Sequence, residues 1–300
     1  MSHDGQHGQG DQDGRAIVVG VDGSPHARLA LKWAADEAKR RDSLLRIVFA
    51  EVDEVANVPG WYESGSSGIT PGEAVVDEAV GLVATRHPSV LVHSEVVKWP
   101  AAMVLTSASR SAELLVVGSR GRGGFDELLL GSVSDQCIQY AECPVAIVHS
   151  DADDPDFLPA RPRIVVGIDG SLGSTRALRW ALDEAHVRSA SVEAVFAWQS
   201  PPIHAIVAGP EQGYDVVAKE IIDAATEHAE RLAPDVPFKV QAAFNATVPA
   251  LLEACRDTDL LVVGSEGHGG FRDARLGSVA HQCARHAHCA VVVARPHVAA

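Results

Sequence analysis

The chain repeats itself, and no other feature restricts its fold as much. Ile17-Val-Val-Gly-Val-Asp-Gly-Ser24 returns as Ile164-Val-Val-Gly-Ile-Asp-Gly-Ser171. Leu31-Lys-Trp-Ala-Ala-Asp-Glu-Ala38 returns as Leu178-Arg-Trp-Ala-Leu-Asp-Glu-Ala185, and Leu-Leu-Val-Val-Gly-Ser at 114–119 returns at 260–265. Self-similarity over such a distance means two copies of one structural unit. Residues 151–162 between them carry acidic residues and three prolines, the composition of an extended linker. The expected organisation is a flexible leader at 1–14, rich in Gly, Gln, His and Asp, then copy one at 15–150, the linker, and copy two at 163–296.

Within each copy, short runs of Val, Ile and Leu alternate with helical patterns. In copy one the runs are 16–21, 44–50, 90–97, 114–118 and 145–148. Continuous apolar runs of this length suit strands buried on both faces, which is the environment of a parallel sheet. Leu31, Ala34, Ala35 and Ala38 form one stripe of a helix, as do Leu178, Ala181, Leu182 and Ala185. The expected fold class is α/β, with two tandem doubly wound parallel five-stranded sheets flanked by helices. Such folds bind ligands beyond the carboxyl ends of their strands, near the topological switch point.

Two glycine loops fall there. The first reads Gly118-Ser119-Arg120-Gly121-Arg122-Gly123-Gly124 and reaches Gly131-Ser132-Val133-Ser134. The second reads Gly264-Ser265-Glu266-Gly267-His268-Gly269-Gly270 and reaches Gly277-Ser278-Val279-Ala280. Glycines allow the backbone to approach a ligand with successive N–H groups pointing at it, and the following Gly-Ser opens a helix whose free N–H groups and dipole favour an anion. The alternative is a plain turn and a helix cap.

The spacing Gly, two residues, Gly, nine residues, Gly-Ser resembles the ATP-binding signature of the universal stress protein family, and both copies carry it. Asp-Gly-Ser after the first strand is similar to the family pattern too, and the tandem arrangement resembles its two-domain actinobacterial members. That resemblance implies ATP as cofactor, with Mg accompanying it. It places Asp22 and Asp169 at the nucleoside, with Gly20 and Gly167 allowing close approach and Ala50 and Ala197 offering backbone to adenine. The glycine loops and the Val133 and Val279 turns take the phosphates. For the two aspartates the alternative is a turn residue bonding a nearby N–H. The resemblance also implies pairing through the last strands, either between the copies or between two chains as a homodimer, and a role as a regulator in hypoxia, starvation or growth arrest.

The copies differ in charge. Arg120 and Arg122 face Glu266 and His268 in register, and Ser134 faces Ala280. The expectation is tighter nucleotide binding in copy one, because a carboxylate near triphosphate is unfavourable. Arg272 and Arg275 offer compensation from positions whose direction sequence does not give.

Other classes are disfavoured. The formal net charge of -15 opposes a grip on nucleic acid or anionic lipid. No apolar run approaches the ~20 residues of a membrane span, and the first residues lack a secretory core, so a cytoplasmic location is expected. There is no Gly-Lys dipeptide, hence no Walker loop, and no residue pair declares itself for fast phosphoryl transfer. Slow hydrolysis at most is expected. His281 to Cys289 concentrates three histidines and two cysteines, but its copy-one counterpart keeps only the cysteines, so these read as small hydrophobes rather than as a zinc site. A scaffold that binds no nucleotide is the rival of another class.

Overall fold

The computed structural model describes residues 16–51, 70–121, 129–149, 162–198, 212–267 and 275–296. Copy one runs β1 (Ala16–Val21), α1 (Pro25–Arg41), β2 (Leu44–Ala50), α2 (Pro71–Arg86), β3 (Val92–Val97), α3 (Ala101–Ala108), β4 (Ala112–Gly118), α4 (Ser132–Tyr140) and β5 (Val145–Val148). Copy two runs β6 (Arg163–Ile168), α5 (Leu172–Arg188), β7 (Ser191–Trp198), α6 (Gln212–Leu232), β8 (Phe238–Phe244), α7 (Thr247–Ala254), β9 (Leu260–Gly264), α8 (Ser278–His286) and β10 (Ala290–Ala294).

The helix starts follow from their caps. Ser24 Oγ accepts the Ala27 N–H at 3.2 Å with Pro25 in the first turn, and Ser171 Oγ accepts the Ser174 N–H at 3.1 Å. Thr70 and Glu73 make a reciprocal capping box for α2. Both α1 and α5 end on a residue in the left-handed region, Asp42 and Ser189.

The two expected sheets are halves of a single one. Its ten strands run β3-β2-β1-β4-β5-β10-β9-β6-β7-β8, parallel within each copy and antiparallel only where β5 meets β10. Ala146 lies opposite Val292, its own counterpart in the repeat, so an approximate twofold axis passes through this pair, perpendicular to the sheet. Sequence left open whether the last strands pair within or between chains. They pair within the chain, and each of them is flanked by a strand on both sides.

The axis puts α1, α2, α5 and α6 over one face and α3, α4, α7 and α8 over the other, each face with one apolar core spanning both copies. The first core holds the stripe Leu31, Ala34, Ala35 and Ala38 and its repeat. Trp33 and Trp180, expected as packing residues, lie partly buried against the same core. Among the described residues no helix is long and apolar enough to cross a membrane.

On the helix face of the axis, α1 meets α5 through four charges. Glu37 and Glu184 are fully buried, and each is bound by both Arg41 and Arg188. Arg188 Nη2 is 2.6 Å from Glu37 Oε2. Each guanidinium also lies over the tryptophan of the opposite copy, Arg41 at 5.6 Å from the Trp180 ring and Arg188 at 5.2 Å from that of Trp33. Burial pushes the Glu37 carboxyl up, but Arg188 and Arg41 more than reverse it and hold it at about 2. For Glu184, burial and the neighbouring Glu37 charge leave the carboxyl raised. On the opposite face the axis passes between Asp135 and its counterpart His281, whose Nε2 is 2.8 Å from Asp135 Oδ1.

Removing one member of this ring leaves a buried charge uncompensated, which costs about 3–5 kcal/mol. Glu37→Ala is therefore expected to lower the unfolding midpoint in urea by that equivalent. Replacing all four with apolar residues of similar volume is expected to recover most of the loss. A Glu37→Ala chain as stable as the parent would contradict the reading.

Candidate functional site

Copy two has a cavity of ≈270 Å³ at the carboxyl ends of β6, β7 and β9, near the lower end of the ~300–1,000 Å³ usual for small-molecule pockets. Its wall includes Gly167, Asp169, Ala197, Gly264, Gly267, Gly277, Ser278 and Val279, all singled out by sequence. They come from four separate elements and meet because the parallel sheet aligns its strand ends. Ser265, also singled out, is buried and joins the loop to the sheet, with its N–H donating to Ala294 O at 3.0 Å and its carbonyl accepting from Gly277 N at 2.7 Å. Copy one repeats both bonds, Ser119 N to Val148 O at 2.8 Å and Gly131 N to Ser119 O at 2.7 Å.

The aspartates serve the turn and face the loop at once. Asp22 Oδ1 accepts the Ser24 N–H at 2.9 Å, and Asp169 Oδ1 accepts that of Ser171 at 2.9 Å. The intervening Gly23 and Gly170 have φ of 80° and 82°, which suits glycine. The second oxygen of each carboxylate looks the other way. A Cβ added to Gly121 would stand 2.6 Å from Asp22 Oδ2, and one on Gly267 would stand 2.6 Å from Asp169 Oδ2.

The helix ends behind the loops are open. Gly131 and Gly277 occupy the cap positions of α4 and α8, and neither helix has a side-chain cap bond. The first-turn N–H groups, at Ser132, Val133 and Ser134 and at Ser278, Val279 and Ala280, project from the helix end with the positive end of its dipole. Such an end binds anions.

Three expectations change here. The Ser134 hydroxyl is buried and donates to Gly118 O at 2.6 Å, so it braces the loop, and its replacement by Ala280 removes a brace rather than a ligand donor. Arg275 turns its guanidinium toward copy one, over the Tyr140 ring at 5.4 Å. Glu266 lines the cavity but has Arg176 Nη1 3.4 Å away, an exposed pair worth little that nonetheless places a cation beside the carboxylate. Arg122, Gly123, Gly124, Gly269, Gly270, His268 and Arg272 lie outside the described residues.

Sequence reasoning missed Thr247, Leu251 and Ser174, which also line the cavity. Leu251 packs on Gly167, and Leu105 on Gly20, where an added Cβ would come within 3.2 Å and 2.8 Å of a leucine methyl. The available signal was positional, since α7 follows β8 and must cover the same end of the sheet. Gly20 and Gly167 thus admit a leucine from the covering helix. Ala50, at the end of β2, is half-buried and pairs with Val97.

The five cysteines are buried free thiols. Among the described residues no group of three or more His, Cys, Asp or Glu side chains is arranged to hold a metal ion.

Comparison with known proteins follows the same division. The family model described as "Universal stress protein family" matches residues 14–149 and again 161–295. A universal stress protein of Mycobacterium tuberculosis (strain H37Rv) is 33% identical over 297 residues, covering 93% of this chain and 96% of its own length. One of Mycolicibacterium smegmatis is 34% identical over 303 residues, covering 93% and 97%. Among solved structures, a universal stress protein from Archaeoglobus fulgidus superposes with a TM-score of 0.58 at 18% identity over 94% of this chain and 98% of its own, which supports the fold.

The loop's close packing makes a direct prediction. A Cβ at Gly118 would meet the His26 backbone at 2.7 Å, and one at Gly264 the Gly173 backbone at 2.6 Å. Neither backbone is free to swing aside. Gly118→Ala and Gly264→Ala are each expected to cost about 1–3 kcal/mol of stability, read by urea unfolding, whereas Gly81→Ala, where an added Cβ meets nothing within 4 Å, is expected to cost nothing or to stabilise.

Proposed function

The chain belongs to the universal stress protein family, and from that premise we propose that it binds an adenine nucleotide, ATP first among them, at the strand ends of each copy. The units concerned are residues 15–150 and 163–296. The observation that supports this reading best is the convergence in copy two of a helix N-terminus without a side-chain cap, a glycine loop and the Asp169 carboxylate around one cavity. The helix end and loop N–H groups suit phosphate. Asp169 Oδ2, with the backbone of Ala197, suits a nucleoside's hydroxyl and amine donors. Mg²⁺ would come with the phosphates.

Binding rather than fast turnover fits the residues. Phosphoryl transfer needs groups that hold metal and orient the attacking oxygen, and Asp169 has one oxygen already committed to its turn. Turnover far below the enzyme median of ~10 s⁻¹ is expected. Bound nucleotide then acts on conformation or partner choice, as suits a cytoplasmic regulator of stress adaptation. Copy one remains the tighter site in this proposal, because Arg120 stands where copy two has Glu266, but the margin shrinks with Arg176 beside Glu266 and Ser134 serving the loop.

Asp22→Asn and Asp169→Asn separate the turn from the ligand, since an asparagine keeps the oxygen that accepts from Ser24 or Ser171. Each is expected to leave stability within about 0.5 kcal/mol and to weaken ATP binding at its own copy about tenfold or more in calorimetric titrations with ATP, ADP, AMP and cyclic AMP. Unchanged affinity in both variants would refute the assignment of the aspartates. Absence of heat with all four ligands would favour the scaffold reading.

A further inference from the structure

On the face of the sheet that carries α4 and α8, copy two reaches across the axis onto copy one. β10 runs antiparallel to β5 as far as Val293 opposite Val145, and Arg295 follows β10, half-buried. Its guanidinium donates to the Ile138 carbonyl and, from Nη1, to the Ala141 carbonyl at 3.3 Å. Nη2 is also 3.4 Å from Arg275 O. The Arg275 guanidinium in turn lies over the ring of Tyr140, the last residue of α4. Two arginines of copy two therefore hold the C-terminal end of a copy-one helix.

That end needs donors. The Glu142 N–H, which would have continued α4, donates to Ser109 Oγ at 2.9 Å instead, so the Ile138 carbonyl is one of the terminal acceptors that a helix leaves open. A cation suits them and the negative end of the dipole. The opposite end of α4 carries the N–H groups of the proposed copy-one phosphate site, next to the Ser134 bond to Gly118 O at 2.6 Å. α4 has nine residues and is only about 14 Å long, so a shift at its C-terminal end re-aims the N–H groups at the other.

We infer that Arg295 and Arg275 are positioning residues for the copy-one nucleotide site, supplied by copy two. The inference rests on the nucleotide reading above and adds that the grip of copy one on phosphate depends on side chains of the other copy. Neither arginine acts on the ligand; both act on the direction of α4. The arrangement is one-sided, because the repeat places Leu129 where Arg275 stands, His149 where Arg295 stands and His286 where Tyr140 stands. α8 carries its own basic residues, Arg285 and His286, in its last turn. Loss of the clasp is therefore expected to show at copy one, although both arginines belong to copy two.

Calorimetric titration of ATP into two full-length backgrounds tests this. Asp169→Asn leaves copy one as the stronger site, and Asp22→Asn leaves copy two. In the first background, Arg275→Leu, which reproduces the copy-one residue, and Arg295→Gln are each expected to weaken ATP binding about threefold to tenfold with native circular dichroism. Arg275→Lys, which keeps a cation over Tyr140, is expected to bind as the parent does. In the second background Arg275→Leu is expected to leave ATP affinity within about twofold. Unchanged copy-one affinity in the Arg275→Leu chain, or an equal loss in both backgrounds, would overturn the inference and leave the nucleotide reading intact. Absence of ATP binding by the Asp169→Asn chain itself would overturn both.

Discussion

Two fully buried carboxylates, Glu37 and Glu184, and the two guanidiniums that bind them between α1 and α5 tolerate one another only as a set. Either copy alone would expose half of this ring and leave the other half misaligned, because each carboxylate takes one arginine from its own helix and one from the other copy. A buried ion pair is weak evidence for net stability. It does favour one arrangement, since bringing α1 and α5 together around the axis gives each buried carboxylate both arginines. Each tryptophan lies against the guanidinium of the other copy's arginine. The β5–β10 seam supplies the apolar part of the same interface, with Ala146 and Val292 fully buried.

Each of those helices also begins at a candidate site. Ser24 and Ser171 cap α1 and α5 two residues after the aspartates, and the backbone near the start of each helix packs against the glycine that ends β4 or β9. One helix in each copy therefore runs from the site to the shared ring. If each copy binds nucleotide as proposed, α1 and α5 join the two sites by one continuous physical connection.

Much of this was legible in the sequence. The repeat gave the tandem folds, and the apolar runs gave the strands. The glycine loops and the aspartates were legible because backbone geometry demands particular residues there. What stayed hidden was set by contacts between distant segments. The single sheet was invisible because Val145–Val148 and Val291–Val293 suit a pairing within one chain and a pairing between two equally well. Glu37 and Glu184 read as ordinary polar positions in amphipathic helices, and only the axis buries them. Thr247 and Leu251 reach the cavity through the crossover after β8, and the Ser134 hydroxyl reaches the Gly118 carbonyl only once the loop has closed.

In the proposed function, each copy of the tandem offers adenine nucleotide one of two related sites. Native mass spectrometry of the full chain titrated with ATP addresses it most directly. The expected result is a chain that takes up one and then a second ATP, the first at lower concentration. A chain that carries no nucleotide at saturating ATP would contradict it.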